Sequence, residues 1–178
     1  MPLPPLPDDA VVLGASASSW REALRIAGGA LVASGATTEP YTAAMVDMVE
    51  EHGPYIVISP GLAFAHARPG AAVLRDGLAV VTLAEPVAFG HPHNDPVRVV
   101  LGLAVAEVGT HLESIGEIAN TFNDPTVTTR LASAASAAEV RAILGVAASG
   151  AAGAEPSGAA GAAGAESSGA AGAAEADS

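Results

Sequence analysis

Five histidines, at positions 52, 66, 91, 93 and 111, hold most of the nucleophilic chemistry this chain can offer. Its seven cations are all arginine, and there is no cysteine. A disulfide framework, a thiolate metal site and a covalent intermediate on cysteine are therefore excluded. His66 has the most informative setting. It lies in Gly53-Pro-Tyr-Ile-Val-Ile-Ser-Pro-Gly-Leu-Ala-Phe-Ala-His-Ala-Arg-Pro-Gly70, where the apolar runs Tyr55–Ile58 and Leu62–Phe64 are split by Ser59-Pro60-Gly61. On residue type alone, an ordinary core or surface histidine is the leading reading. Two features favour a nucleophile instead. His66 stands where a strand-like run meets a turn, beside Ala65 and Ala67, small enough to let a bulky anion near the backbone. The nearby cation, Arg68, is the side chain best suited to phosphate. An imidazole keeps a free lone pair near neutral pH, and phosphoryl transfer asks of a protein mainly positioning and charge neutralisation.

The other histidines are open to blander readings. His111 follows Thr110, a good N-cap, so it occupies a first helical position, where it is most simply a surface residue. Arg68, similarly, reads as a surface arginine lying across its loop. His91 and His93, with His111, invite a zinc site and hence a metal-dependent hydrolase. A catalytic zinc needs three protein ligands with carboxylates behind them, and nothing in the spacing of Asp95 or Glu107 requires that. Gly90–Pro96 is more simply a turn-rich connection. No metal and no cofactor is expected, and no glycine set of the nucleotide-binding kinds follows a strand.

The elements that must position these residues follow from periodicity and caps. Ala10–Leu13 is expected as a first strand. Ser19-Trp-Arg-Glu22 has the form of a capping box, opening a helix with Trp20, Leu24, Ala27 and Leu31 on one face. Trp20 is expected as a core anchor rather than a ligand-stacking ring. A second helix starts near Thr38-Glu-Pro40, carries Tyr41, Met45, Met48 and Val49 inward, and stops at Gly53-Pro54. Its Asp47, Glu50 and Glu51 read as a solvated face. Gly77–Ala84 and Val97–Val105 are nearly continuous aliphatic runs, the mark of buried strands. Residues 110–122 form a third helix with Leu112, Ile115, Ala119 and Phe122 inward. Asp124-Pro125 and Ser136-Ala-Ala-Glu139 each start a further helical piece, the last ending at Gly145. The predicted fold class is α/β, a single layered domain with a mixed sheet flanked by helices, over residues 8–146. Residues 1–7 are expected to be a flexible N-terminus, and 147–178, rich in Ala, Gly and Glu, a disordered acidic tail with too little apolar surface to offset its ordering entropy.

A net charge of −12 opposes general nucleic-acid binding, which needs cations to displace counterions. The N-terminal run has no basic region and no uninterrupted apolar stretch, unlike a signal peptide. No stretch reaches the roughly 20 apolar residues of a membrane span. The expectation is a cytoplasmic protein without direct membrane insertion.

The organising stretch resembles the active-site segment of the mannitol/fructose-type (type-2) enzyme IIA domains of the bacterial phosphoenolpyruvate-dependent sugar phosphotransferase system. Its His-Ala-Arg-Pro ending is closer to the ascorbate-type branch. The resemblance extends to Tyr41 and Met45, to Phe89-Gly-His91 with Asn94-Asp-Pro-Val97, and to Val100–Val105 followed by His111-Leu112. It implies the mannitol-type enzyme IIA fold and a protein-histidine phosphoryl transfer enzyme. His66 would be phosphorylated at Nε2, His111 would hydrogen-bond the phosphate, and Arg68 is a candidate for charge stabilisation. The phosphocarrier HPr would be the donor. A IIB component, through a cysteine, would be the acceptor, ahead of a membrane IIC permease. A regulatory phosphohistidine switch acting on a partner protein is the alternative output of the same chemistry. This sequence departs from the family in having Ala65 where proline is common. It also has Glu50 where the mannitol branch has an arginine sixteen positions before the active histidine.

Overall fold

Ser19 opens the first helix as its sequence requires: its side chain accepts the Glu22 N–H at 3.3 Å. Glu22 reaches one residue further back than a standard capping box, taking both the N–H and the hydroxyl of Ser18 at 2.7 Å. Ser136 repeats the pattern, accepting from Glu139 N at 3.2 Å while the Glu139 carboxylate takes Ala135 N at 2.9 Å. In both places the glutamate satisfies the donor before the N-cap, which extends the cap into the incoming loop.

The computed structural model describes residues 3–107, 116, 120–122, 124 and 126–148. Most of the expected helix over 110–122, including His111, lies outside these residues, as does the expected tail from 149 onward. After a 3-10 turn at Asp8–Ala10 the chain runs β1 (Val11–Ala15), α1 (Trp20–Ala33), α2 (Glu39–His52), β2 (Val57–Ser59), β3 (Leu62–His66), β4 (Gly77–Val87), β5 (Val97–Ala104), α3 (Thr126–Ala132) and α4 (Ala137–Leu144).

The five strands form one sheet in the order β1-β4-β5-β3-β2. The pairings β1–β4 and β3–β5 are parallel, whereas β4–β5 and β2–β3 are antiparallel. This is the mixed sheet flanked by helices that the sequence predicts. Strand β1 begins at Val11 rather than Ala10, and β4 continues through Pro86 to Val87. The proline lies where the β4–β5 register shifts between Thr82 and Val87, a place where a ladder N–H is not required.

Helix α1 lies against β4 and β5, and α2 against α1. Close approach depends on small residues. A methyl group at Gly28 would overlap the Thr42 side chain, and one at Gly102 would press on Leu31 of α1 at 3.3 Å. Leu24, Ala27 and Leu31 are fully buried, as are Leu62, Ala63, Val80, Val81, Val99 and Val100. Leu6 is also fully buried, and its N–H meets the Ala147 carbonyl at 2.8 Å. Arg141 binds the Leu6 carbonyl at 3.1 Å and the Asp8 carboxylate at 2.7 Å, so the first and last described segments lie together.

Candidate active site

The tight turn at Gly61, with φ of +76°, folds β2 back onto β3. Strand β3 then runs through the sheet beside β5 and delivers His66 at its end, paired with Leu103. Alternation along a strand puts Phe64 and His66 on the same face, and their rings lie 5.1 Å apart, tilted by 34°. Nδ1 of His66 is 3.1 Å from the Phe64 carbonyl oxygen. A carbonyl can only accept, so Nδ1 carries the ring proton and the imidazole lone pair falls on Nε2. The local backbone thus selects the tautomer suited to attack through Nε2.

Tyr55 stands edge-on to His66, with ring centroids 5.9 Å apart and an interplanar angle of 90°. His52, at the end of α2, is edge-on to Tyr55 at 6.1 Å. Burial pushes the Tyr55 phenol up, and the positive charge of Arg68 pulls it the other way. Arg68 is itself exposed. Of the three residues singled out from the sequence, His66 thus lies against Tyr55, and the charge of Arg68 is felt at the Tyr55 phenol. The third, His111, lies outside the described residues. The sequence reading treated Tyr55 as part of an apolar run. Its edge-on contact with His66 places it at the site instead, with the residue 40 % exposed.

Tyr41 faces inward as its helical spacing predicts, but the partners of its hydroxyl are not readable from composition or spacing. Its hydroxyl accepts the Ala67 N–H at 3.1 Å and donates to the Leu103 carbonyl at 2.7 Å, with the Ala67 carbonyl at 3.3 Å. Burial pushes its phenol up to about 12; the Ala67 N–H lowers it, and Tyr55 raises it further. The folded value lies above the ordinary one near ~10, so this contribution to stability is fully present below about pH 10. It is lost as the pH climbs through about 12. Urea titrations at about pH 9 and about pH 11.5 should differ by roughly 2 kcal/mol from this group, and Tyr41→Phe should remove that share.

Glu50, where the mannitol branch has arginine, forms an ion pair with Arg21 of α1 at 2.7 Å. The Arg21 guanidinium also lies 4.2 Å over the Trp20 ring. Trp20 packs against Phe89 at 6.5 Å, in keeping with a core anchor. The His91–Pro96 loop is held by Asp95, whose carboxylate accepts the N–H groups of Phe89, Gly90 and His91 at 2.6–3.0 Å. Nδ1 of His91 accepts from the N–H groups of His93 and Asn94 at 3.2 and 3.0 Å. Asn94 donates to the Val57 carbonyl at 3.0 Å, tying this loop to β2. Among the described residues, no three His, Asp or Glu side chains are gathered to hold a metal ion.

The mixed sheet flanked by helices is the mannitol-type enzyme IIA fold, as the likeness to solved IIA mannitol structures shows. The chain belongs to the family described as "Phosphoenolpyruvate-dependent sugar phosphotransferase system, EIIA 2", whose model matches residues 5–145. It is a phosphoryl-transfer component of that system. It is 40 % identical over 134 residues to the ascorbate-specific EIIA component of Salmonella typhimurium, covering 75 % of this chain and 87 % of that one. The enzyme IIAMTL of Escherichia coli, solved in complex with phosphorylated enzyme IIBMTL, matches with a TM-score of 0.69 and 30 % identity, over 79 % of this chain and 96 % of that one. The nitrogen regulatory protein IIA-Ntr of Neisseria meningitidis matches with a TM-score of 0.68 and 28 % identity, over 78 % and 95 %.

Proposed function

We propose that Nε2 of His66 is the phosphoryl acceptor of a cytoplasmic phosphocarrier, charged by phospho-HPr and discharged to a IIB component for uptake of ascorbate or a related sugar. The observation that carries this reading is the Nδ1 contact to the Phe64 carbonyl, which leaves Nε2 as the nucleophilic nitrogen. The Nε2 lone pair attacks phosphorus while the donor's P–N bond breaks, its electron pair returning to the donor imidazole. Nδ1–H stays on the Phe64 carbonyl throughout and steadies the ring as it gains positive character. In the second step the IIB nucleophile attacks the same phosphorus, and the His66 Nε2–P bond returns its pair to the ring. Arg68 neutralises the phosphate oxygens, and His111 donates a hydrogen bond to one of them. The functional unit is residues 8–146, to which Leu6 adds a fully buried side chain and, with Ala147, a backbone hydrogen bond at 2.8 Å. No helix among the described residues is long and apolar enough to cross a membrane.

Incubation with phosphoenolpyruvate, enzyme I and HPr should add one acid-labile phosphate. His111→Ala should still fold and accept phosphate, but transfer to IIB about a hundredfold or more slowly, the size expected for a lost transition-state donor. An unchanged transfer rate would remove His111 from the site.

The likeness to a nitrogen regulatory protein supports a second reading, in which the phosphohistidine reports phosphorylation status to a partner. Reconstituted uptake with cognate IIB and IIC separates the two: transport favours the carrier, and phosphorylation without transport favours the switch.

A further inference from the structure

We propose that Tyr41 positions His66 for transfer, its hydroxyl clamping the end of β3 to the end of β5. The clamp rests on the reading of His66 as the acceptor. The parallel β3–β5 ladder ends at the pair His66–Leu103. The next residue, Ala67, is 3 % exposed, so its N–H needs a partner inside the protein. Tyr41 supplies it from α2 and passes its own proton to the Leu103 carbonyl. One oxygen thereby bridges the residue after the histidine and the residue opposite it. The Tyr41 hydroxyl bonds backbone groups of Ala67 and Leu103. It sets the backbone from which the ring projects, while the Phe64 carbonyl sets the ring's rotation. Without the hydroxyl, the Ala67 N–H and the Leu103 carbonyl must find each other or water, and either shifts the His66 backbone. A displacement of about 1 Å at a reacting group costs on the order of a hundredfold in rate.

The test compares wild type, Tyr41→Phe and Met45→Ala. Met45 is a buried α2 residue one turn from Tyr41, so its truncation destabilises the helix but leaves the hydroxyl in place. With phospho-HPr as donor, Tyr41→Phe should lower kcat by roughly ten- to a hundredfold with KM nearly unchanged. Nitrogen NMR of its His66 ring should show the Nδ1–H form giving way to a tautomer mixture, while Met45→Ala keeps the wild-type ring signals and kcat. Amide exchange of Ala67 in the unmodified protein should show protection like that of β3, which tests the clamp even if Tyr41→Phe does not fold. Wild-type kcat and ring signals in Tyr41→Phe, an equal kcat loss in Met45→Ala, or loop-like exchange at Ala67 would each overturn the proposal. If wild type accepts no phosphate at His66, the acceptor reading fails instead, and the ring signals and amide exchange still report on the clamp.

Discussion

His66→Ala is expected to abolish phosphate acceptance, a loss of more than about a thousandfold, because the substitution removes the nucleophile itself. The folded state should survive. The imidazole is only partly buried, at the end of a strand whose ladder is made by backbone groups. Its loss should cost no more than about 1–2 kcal/mol, mainly through the ring contacts to Phe64 and Tyr55. Mass spectrometry after incubation with phosphoenolpyruvate, enzyme I and HPr reads the first expectation, and urea unfolding reads the second. Undiminished labelling of the variant would place the phosphate on another histidine. His91 is poorly suited by its surroundings, since its Nδ1 already accepts two backbone N–H groups and so its proton sits on Nε2. A further variant, Arg68→Ala, would then show whether the guanidinium serves the site that is labelled.

Phe64→Ala is expected to produce the largest loss of stability near the site, about 3–5 kcal/mol, the usual range for truncating a buried aromatic side chain. Phe64 is 2 % exposed, lies in the strand between β2 and β5, and bonds the Ile56 carbonyl through its N–H at 2.7 Å. The cavity would open directly under the His66 ring. The bond from His66 Nδ1 goes to the backbone of residue 64, however, so the tautomer should persist in the molecules that remain folded. Chemical denaturation should therefore show a far larger change than phosphorylation of the folded fraction at low temperature. A loss below about 1 kcal/mol would mean that the ring is not packed as described.

Local signals carried most of the architecture. Ser19 with Glu22 and Ser136 with Glu139 announce two helix starts, because a cap joins residues three apart. Proline at the head of α2, the positive-φ Gly53 and Gly145 at helix ends, and Gly61 at the β2–β3 turn act over similarly short spans. The aliphatic runs of β4 and β5 mark strands covered on both faces. His66 stood out because its small neighbours, its arginine and its strand-to-turn setting all lie within a few residues.

Other features join parts of the chain that no local rule links. Tyr41 meets Ala67 and Leu103 across 26 and 62 positions, and Arg21 reaches Glu50 across 29. The parallel pairing of β3 with β5 sets which residue stands opposite His66. Amino-acid order by itself marked most of the elements and singled out His66 as the candidate nucleophile, since helix caps, turns and strand patterns are short-range effects, whereas β1 starts one residue later and β4 runs three residues further than the pattern predicts. Tertiary structure alone decided that the Tyr55 ring stands against His66 and that a buried phenol closes the ladder behind it. Those outcomes depend on where a few oxygens and rings come to rest once the sheet is assembled, and only packing brings such distant groups together.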